Sequence, residues 1–170
     1  MASPLPPPRL VATAHDAAGT SIIASDAPLQ TFSPFGPKGS AFAVIHSAPS
    51  VPVSNTDLQA PQQNTLPRVP PQGVIFTTAD IPPHGGESPI HRTQSMDYSV
   101  VLAGEITMIL DSGEERVIKA GELILQRGTM HRWRNNSNEW CRILFVMVGS
   151  EKIVLEDGRV LEETNMPPRA

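Results

Sequence analysis

The sequence predicts an all-β fold, and three observations support that prediction. No long segment carries apolar residues at helical spacing, which is the main mark of an amphipathic helix. The chain has 18 Pro and 12 Gly among its 170 residues, and only 18% of its residues are charged. Short apolar runs recur about every eight to ten residues between polar turns, which is typical of a sandwich or barrel. A chain of this length is expected to form one domain with a sizeable core.

The N-terminal half is predicted to contain an arm, four strands and a long loop. Residues 1–9 are rich in Pro and are expected to form a flexible arm. A hairpin opens at Leu10, with LVATA and TSIIASD as its strands, and SAFAVIHS and VIFTTADI predict two more strands. Residues 48–72 are mostly Pro, Gln, Ser, Asn and Thr. They predict a mobile insertion that partly covers an opening.

The C-terminal half is predicted to hold short strands in close succession. These strands cover residues 91–93, 98–102, 106–110, 116–118, 123–126, 131–134 and 141–148. The sequence KIVLEDGRVLEE, residues 152–163, predicts a final hairpin on a type I′ turn at Asp157-Gly158. Since no repeat or second domain is visible, residues 10–170 are expected to form a single domain with a barrel core at about 73–148.

Charge and cysteine content exclude several classes of partner. The net charge is -4 and no basic stripe with interleaved aromatic residues occurs, so nucleic acid is not an expected partner. No apolar run approaches the roughly 18 to 20 residues of a membrane span. The N-terminus lacks the order of a signal peptide, and the single Cys141 excludes an internal disulfide framework. We therefore expect a cytoplasmic protein without membrane partners.

Two histidines and a carboxylate are the candidate catalytic residues. Side chains of like parity share one face of a strand, so His91, Thr93 and Asp97 are expected to point to the same side. His131 opens another strand after the turn at Gly128. Two imidazoles and one carboxylate form a facial ligand set for Fe(II), and the same set serves Zn, Mn or Ni. A carboxylate inside an apolar barrel needs a partner, either a metal or an imidazole, because an unpaired buried charge is costly.

Four further side chains are candidates for substrate binding. Thr93 and Ser99 would line the cavity as neutral polar groups, and Trp133 would form part of its wall. Arg127, if it points inward, would bind a carboxylate or phenolate of the substrate through two hydrogen bonds. Tyr98 has the opposite parity to Asp97 and is expected on the outer face.

Residues 73–148 resemble the cupin superfamily, whose barrel carries two sequence motifs. In the first motif His91 and Gly104 match, while Thr93 stands where a second His belongs and Asp97 replaces a Glu. The second motif is matched by Gly121, Gly128, His131 and Asn135. Its Pro is missing, and the stretch from Gly121 to Gly128 is one residue shorter than usual. The resemblance implies a double-stranded β-helix (jelly-roll) barrel, with the early hairpin as an N-terminal extension.

The segments HRTQSMDY and QRGTMHRWRN also resemble a subgroup of small single-domain cupins found in bacteria and in fungal gene clusters for secondary metabolites. This resemblance implies a homodimeric small-molecule enzyme of specialised metabolism. The first hypothesis is a lyase or isomerase that dehydrates or decarboxylates a polyketide- or acid-like intermediate. His91, Asp97 and His131 would hold a divalent metal (Fe, Zn, Mn or Ni). Without metal, His131 would be the general base and Asp97 would orient an imidazole or favour its charged form.

Two alternatives remain open at this point. One is an Fe(II)-dependent dioxygenase or other oxidoreductase that uses the same three residues. The other is a non-catalytic cupin that binds a small ligand. No nucleotide or organic cofactor is expected under any of these hypotheses.

Overall fold

The computed structural model describes residues 3–56 and 66–165, and these residues form strands and no helix. The all-β prediction is confirmed. Accordingly, the described residues include no helix that is long and apolar enough to cross a membrane. The strands are β1 (Arg9–His15), β2 (Ser21–Pro28), β3 (Ala41–Ala48), β4 (Val74–Ile81), β5 (Ser95–Ala103), β6 (Glu105–Leu110), β7 (Glu115–Lys119), β8 (Leu123–Arg127), β9 (His131–Arg134), β10 (Cys141–Gly149), β11 (Ile153–Val154) and β12 (Val160–Leu161).

Two antiparallel sheets enclose the core. The larger has the strand order β3-β4-β10-β5-β8, and the smaller has the order β7-β6-β9. Both sheets contribute to the buried core, whose members are Val101, Ile106, Ile118, Ile124, Trp133, Cys141 and Ile143. Removing this apolar surface from water is the main force that holds the two sheets together.

Strand β5 shows the alternation that the sequence predicts. Ser95, Asp97 and Ser99 are buried, whereas Tyr98 is exposed on the outer face, as expected. The predicted strand at 91–93 is wrong, because β5 begins only at Ser95. Of that predicted strand only His91 pairs, in an isolated antiparallel bridge to the first residue of β9.

The segment before β1 lies against the larger sheet. Ser3 Oγ donates to Asp80 Oδ2 at 2.7 Å, and Arg142 Nη1 donates to the Pro6 carbonyl at 2.8 Å. These contacts place Ser3 and Pro6 beside β4 and β10, and the flexible arm at residues 1–9 stays a prediction. By contrast, the predicted hairpin is formed by β1 and β2, which make a separate two-stranded sheet.

The remaining loop and turn predictions have mixed outcomes. Residues 57–65 of the predicted loop lie outside the described residues. The C-terminal hairpin is present as β11 and β12, but its predicted type I′ turn is wrong. Type I′ requires positive φ at both central residues, and of Asp157 and Gly158 only Gly158 has it, at 83°. Gly158 N instead donates to the Leu155 carbonyl at 2.9 Å, which closes a type I turn followed by a glycine bulge.

Candidate functional site

A cavity of about 390 Å³ is lined by residues of β4, β9 and β10 and by the irregular segment that precedes β5. Its size is typical of a small-molecule site. Much of its wall is apolar and aromatic, with contributions from Phe42, Ile81, Trp133, Phe145 and Met147. The described end of the long loop, Leu66, Pro67 and Arg68, also lines the cavity.

His91 and His131 lie side by side on the cavity wall, although 39 positions separate them in the sequence. Their backbones exchange hydrogen bonds of 2.8 and 2.9 Å in an antiparallel bridge. This pairing holds the two rings at a centroid separation of 4.3 Å. The Trp133 ring packs edge-on against His131, with centroids 5.4 Å apart.

Backbone carbonyls hold both imidazoles in one tautomer. His91 Nδ1 lies 2.8 Å from the Pro89 carbonyl, and His131 Nδ1 lies 2.9 Å from the Thr129 carbonyl. Because a carbonyl oxygen only accepts, each Nδ1 carries the hydrogen and each neutral ring presents Nε2 as a lone pair. Burial, reinforced by the neighbouring His91, lowers the pKa of His131 to about 4. Burial also lowers the pKa of His91, so both rings are neutral at neutral pH.

Asp97 is buried and its two oxygens accept hydrogen bonds. Ser95 Oγ donates to Oδ1 at 2.5 Å, and Gln126 Nε2 donates to Oδ2 at 3.1 Å. The same Gln126 nitrogen lies 3.3 Å from His131 Nε2. The amide therefore stands between Asp97 and His131, and the expectation that Asp97 itself orients an imidazole is wrong. The carbonyls on the two Nδ1 atoms orient the rings instead.

The predicted metal ligands are not assembled as a three-ligand set. Within residues 3–56 and 66–165 no three His, Cys, Asp or Glu side chains are grouped so as to hold a metal ion. The Asp97 oxygens are engaged by Ser95 and Gln126, and Thr93 Oγ1 lies 2.9 Å from Ser95 Oγ. The side chains as arranged here do not fit the predicted site of His91, Asp97 and His131, and metal binding stays a prediction.

The four predicted substrate-binding residues divide into two pairs. Thr93 and Trp133 line the cavity, as expected. Ser99 is buried but is not part of the cavity wall, and its Oγ has no hydrogen-bond partner among the described residues. Arg127 is exposed, so the inward direction on which its binding role depends is not found. The cause is the register of β5 and β8, in which Gln126 pairs with Asp97 and takes the inward direction.

Sequence reasoning missed two polar residues of this region. Gln126 is a polar residue in the apolar run LILQR, but its direction depends on the pairing of β8 with β5. Arg92 lines the cavity, and its Nε donates to the Gly128 carbonyl at 2.9 Å. It stands in the irregular segment before β5, where no alternation of polar and apolar residues indicates a direction.

Asp97→Asn is expected to stabilise the protein above about pH 6 and to have little effect below about pH 4. Burial raises the pKa of Asp97 from 3.8 to about 6, so the folded state disfavours the charged form that the unfolded state carries in this range. At neutral pH and above, the free energy of unfolding should rise by roughly 2–3 kcal/mol, since one pKa unit corresponds to about 1.4 kcal/mol.

Urea unfolding across this pH range measures the effect. The control is Asp157→Asn in an exposed turn, where hydrogen bonds from Arg159 lower the pKa of the carboxyl. That substitution should not stabilise the protein at any pH. A gain from Asp97→Asn that does not depend on pH, or a loss of stability at high pH, would contradict the expectation.

Comparison with known proteins agrees with this architecture. The family profile of the cupin domain matches residues 77–147. The cupin domain of Cnp3 from Schizosaccharomyces pombe superposes with a TM-score of 0.53 over 82% of this chain and 86% of that chain, at 11% identity. This likeness shows the fold alone.

Two curated relatives match most of the chain. "Phomopsin biosynthesis cluster protein C'" of Diaporthe leptostromiformis is 37% identical over 165 residues, which cover 91% of this chain and 84% of that protein. "Cupin-domain-containing oxidoreductase fogC" of Aspergillus ruber is 34% identical over 157 residues, which cover 88% of this chain and 76% of that protein. The first relative is thus named as a biosynthesis-cluster protein and the second as a cupin-domain oxidoreductase, and the chain belongs to the cupin superfamily.

Proposed function

We propose that this chain is a small-molecule enzyme of secondary metabolism, of the lyase or isomerase type. It would dehydrate or decarboxylate an acid- or polyketide-like intermediate in the barrel cavity. The observation that carries this proposal is the pair of neutral imidazoles on the cavity wall, each with Nδ1 held by a carbonyl. The names of the relatives support a biosynthetic setting. A cytoplasmic location remains part of the proposal.

The two rings suit proton transfer at carbon. The general base is taken here to be His91 and not His131 as predicted from the sequence, because the Gln126 amide occupies His131 Nε2. In a dehydration, His91 Nε2 takes the proton from the carbon next to a substrate carbonyl, and the hydroxyl on the adjacent carbon leaves as water after the ring returns that proton to it. The imidazolium so formed stands beside the second ring in a buried site that lowers its pKa. It therefore releases the proton readily to the leaving hydroxyl. The Gln126 amide, 3.3 Å from His131 Nε2, keeps that nitrogen an acceptor.

An oxidoreductase is the second candidate, because relatives such as fogC are named as such. The Fe(II) dioxygenase form of this hypothesis needs a metal, and the arrangement of Asp97, Ser95 and Gln126 does not favour a three-ligand site. A non-catalytic cupin that binds a small ligand is the third possibility.

Incubation with a panel of β-hydroxy and β-keto acids distinguishes these functions. Mass spectrometry would follow loss of water or carbon dioxide, under air and without oxygen, with the metal content of the protein measured in parallel. The lyase proposal expects turnover that does not depend on oxygen. Oxygen-dependent turnover with stoichiometric iron would favour the oxidoreductase, and tight binding without turnover would favour the binding protein.

We further propose that the protein is a homodimer, because two of its surfaces need a cover. On the outer face of the larger sheet, Leu123 and Leu125 are 81% and 60% exposed and lie beside the exposed Tyr98. The hairpin of β1 and β2 forms its own sheet and exposes Ile22 and Ile23. A two-stranded hairpin is marginally stable in isolation, and exposed apolar patches mark interaction sites. A second copy supplies both a hairpin and an apolar sheet face, so each copy can cover the other.

The double substitution Leu123→Lys, Leu125→Lys is expected to convert the dimer to a monomer, because it places two charges in the proposed interface. Light scattering after size-exclusion chromatography measures the mass. Val117→Lys, on exposed strand β7, is the matched control and should leave the dimer intact. A wild-type monomer would contradict the proposal. A dimer that persists in the double variant Leu123→Lys, Leu125→Lys would also contradict it.

A further inference from the structure

The charged groups around the cavity are unevenly balanced. Among the described residues, the cationic side chains that line it are Lys38, Arg68 and Arg92. The acidic side chains on its wall are Glu87 and Asp97. Arg68 forms an ion pair of 3.5 Å with Glu163, so the cations that bear on the charge of the cavity are Lys38 and Arg92.

Glu87 is neutralised from outside the cavity. Its carboxylate forms ion pairs of 2.8 Å with both Arg132 and Arg134. Asp97 is buried and accepts hydrogen bonds from Ser95 and Gln126, and burial raises its pKa to about 6. Glu87 is thus balanced by Arg132 and Arg134, and the single carboxylate of Asp97 does not balance both Lys38 and Arg92.

Arg92 is held in place by uncharged partners. Its Nε donates to the Gly128 carbonyl at 2.9 Å, and its backbone N donates to Thr164 Oγ1 at 2.9 Å. In the part of the chain that the structure describes, no carboxylate forms an ion pair with Arg92. Arg92 Nη1 makes one long contact of 3.5 Å to the Glu162 carbonyl. Nη2 and the second hydrogen of Nη1 are left for a carboxylate, which a guanidinium recognises through two parallel hydrogen bonds.

The rest of the wall selects the shape of the ligand. Trp133 and Phe145 pack with ring centroids 6.2 Å apart, and Phe42 and Met147 extend the same apolar surface. Flat aromatic ligands pack well against such rings. The cavity therefore combines an apolar slot with a cationic group beside His91.

We infer that the cavity takes a planar aromatic carboxylate, whose charged group is bound by Arg92. The role predicted from the sequence for Arg127 passes to Arg92, because Arg127 points outward. This inference rests on the proposed function only in taking the cavity as the substrate site. Arg92 would select the substrate by binding its carboxylate and would take no part in proton transfer.

Calorimetric titration with 2-naphthoate and with the isosteric, uncharged 2-naphthamide tests the inference. Wild-type protein should bind the carboxylate about 10- to 100-fold more tightly, the range expected of a charge-assisted hydrogen bond. Arg92→Gln should remove that preference, because it should weaken the binding of naphthoate and leave the binding of naphthamide unchanged. Arg92→Lys keeps the charge and should retain part of the preference. The matched control is Arg127→Gln, which should bind both probes as the wild type does.

Three results would overturn the inference. The first is equal affinity of the wild type for the two probes, and the second is no binding of either probe. The third is an Arg92→Gln variant that loses affinity for both probes to the same extent. Naphthoate serves here only as a binding probe, so the result does not depend on turnover. A preference for naphthoate in a protein without lyase activity would uphold the anion site and refute the proposed function. Lyase activity without a preference for naphthoate would uphold the proposed function and refute the anion site.

Discussion

His91→Asn and His131→Asn are each expected to lower turnover of the lyase substrate by about 10²- to 10⁴-fold, the usual contribution of a general acid or base. Asn can keep the hydrogen bond that Nδ1 makes to the Pro89 or Thr129 carbonyl. It removes the Nε2 lone pair, which in His91 takes the substrate proton and in His131 accepts from the Gln126 amide beside that base. A loss from either change would therefore report on the chemistry and not on the local fold.

The kinetic pattern and its pH dependence sharpen this test. If the rings move a proton, kcat should fall much more than KM changes. The wild-type rate should persist below pH 6.5, because burial lowers the pKa of the proposed base His91. It should be lost by about pH 4, where the neighbouring His131 also takes up a proton. His84→Asn is the control, since His84 lies on an exposed turn beside Asn138 and outside the cavity wall. Full activity in both site variants would refute the assigned site.

Arg142→Leu is expected to lower the free energy of unfolding by about 3–5 kcal/mol, the cost of leaving one member of a buried ion pair alone. Arg142 and Asp80 form two hydrogen bonds of 2.5 and 2.6 Å, and their side chains are 11% and 2% exposed. Arg142 also donates to the Pro6 carbonyl. Its loss would leave the Asp80 carboxylate in the sheet with the Ser3 hydroxyl as its only side-chain partner among residues 3–56 and 66–165.

The double variant Asp80→Asn, Arg142→Leu separates charge from packing. It removes both charges, so it should be more stable than Arg142→Leu alone. Urea unfolding measures both variants. Arg116→Leu is the control, because Arg116 is exposed and its ion pair with Glu114 is long, at 3.9 Å. This substitution should change the free energy of unfolding by no more than about 0.5 kcal/mol. A cost below about 1 kcal/mol for Arg142→Leu would contradict the expectation.

Much of the fold was predictable because the relevant signals are local. The turn glycines and the alternation along β5 place Asp97 inside and Tyr98 outside, as the structure shows. The strand at His131–Arg134 has the bounds that the sequence predicts. The hairpin near Asp157 was predicted correctly in position but not in turn type, because Asp-Gly is compatible with more than one turn.

The sequence by itself determined an all-β cupin barrel and its two candidate histidines, since strand alternation and motif spacing are properties of nearby residues. The tertiary structure decided how the site is arranged. The register of β5 with β8 points Gln126 inward and Arg127 outward, and a slip of one residue would reverse both. The bridge between His91 and His131 and the approach of Arg92 to Gly128 depend on an irregular segment. Such a segment has no period of its own, so only its long-range hydrogen bonds set the direction of its side chains.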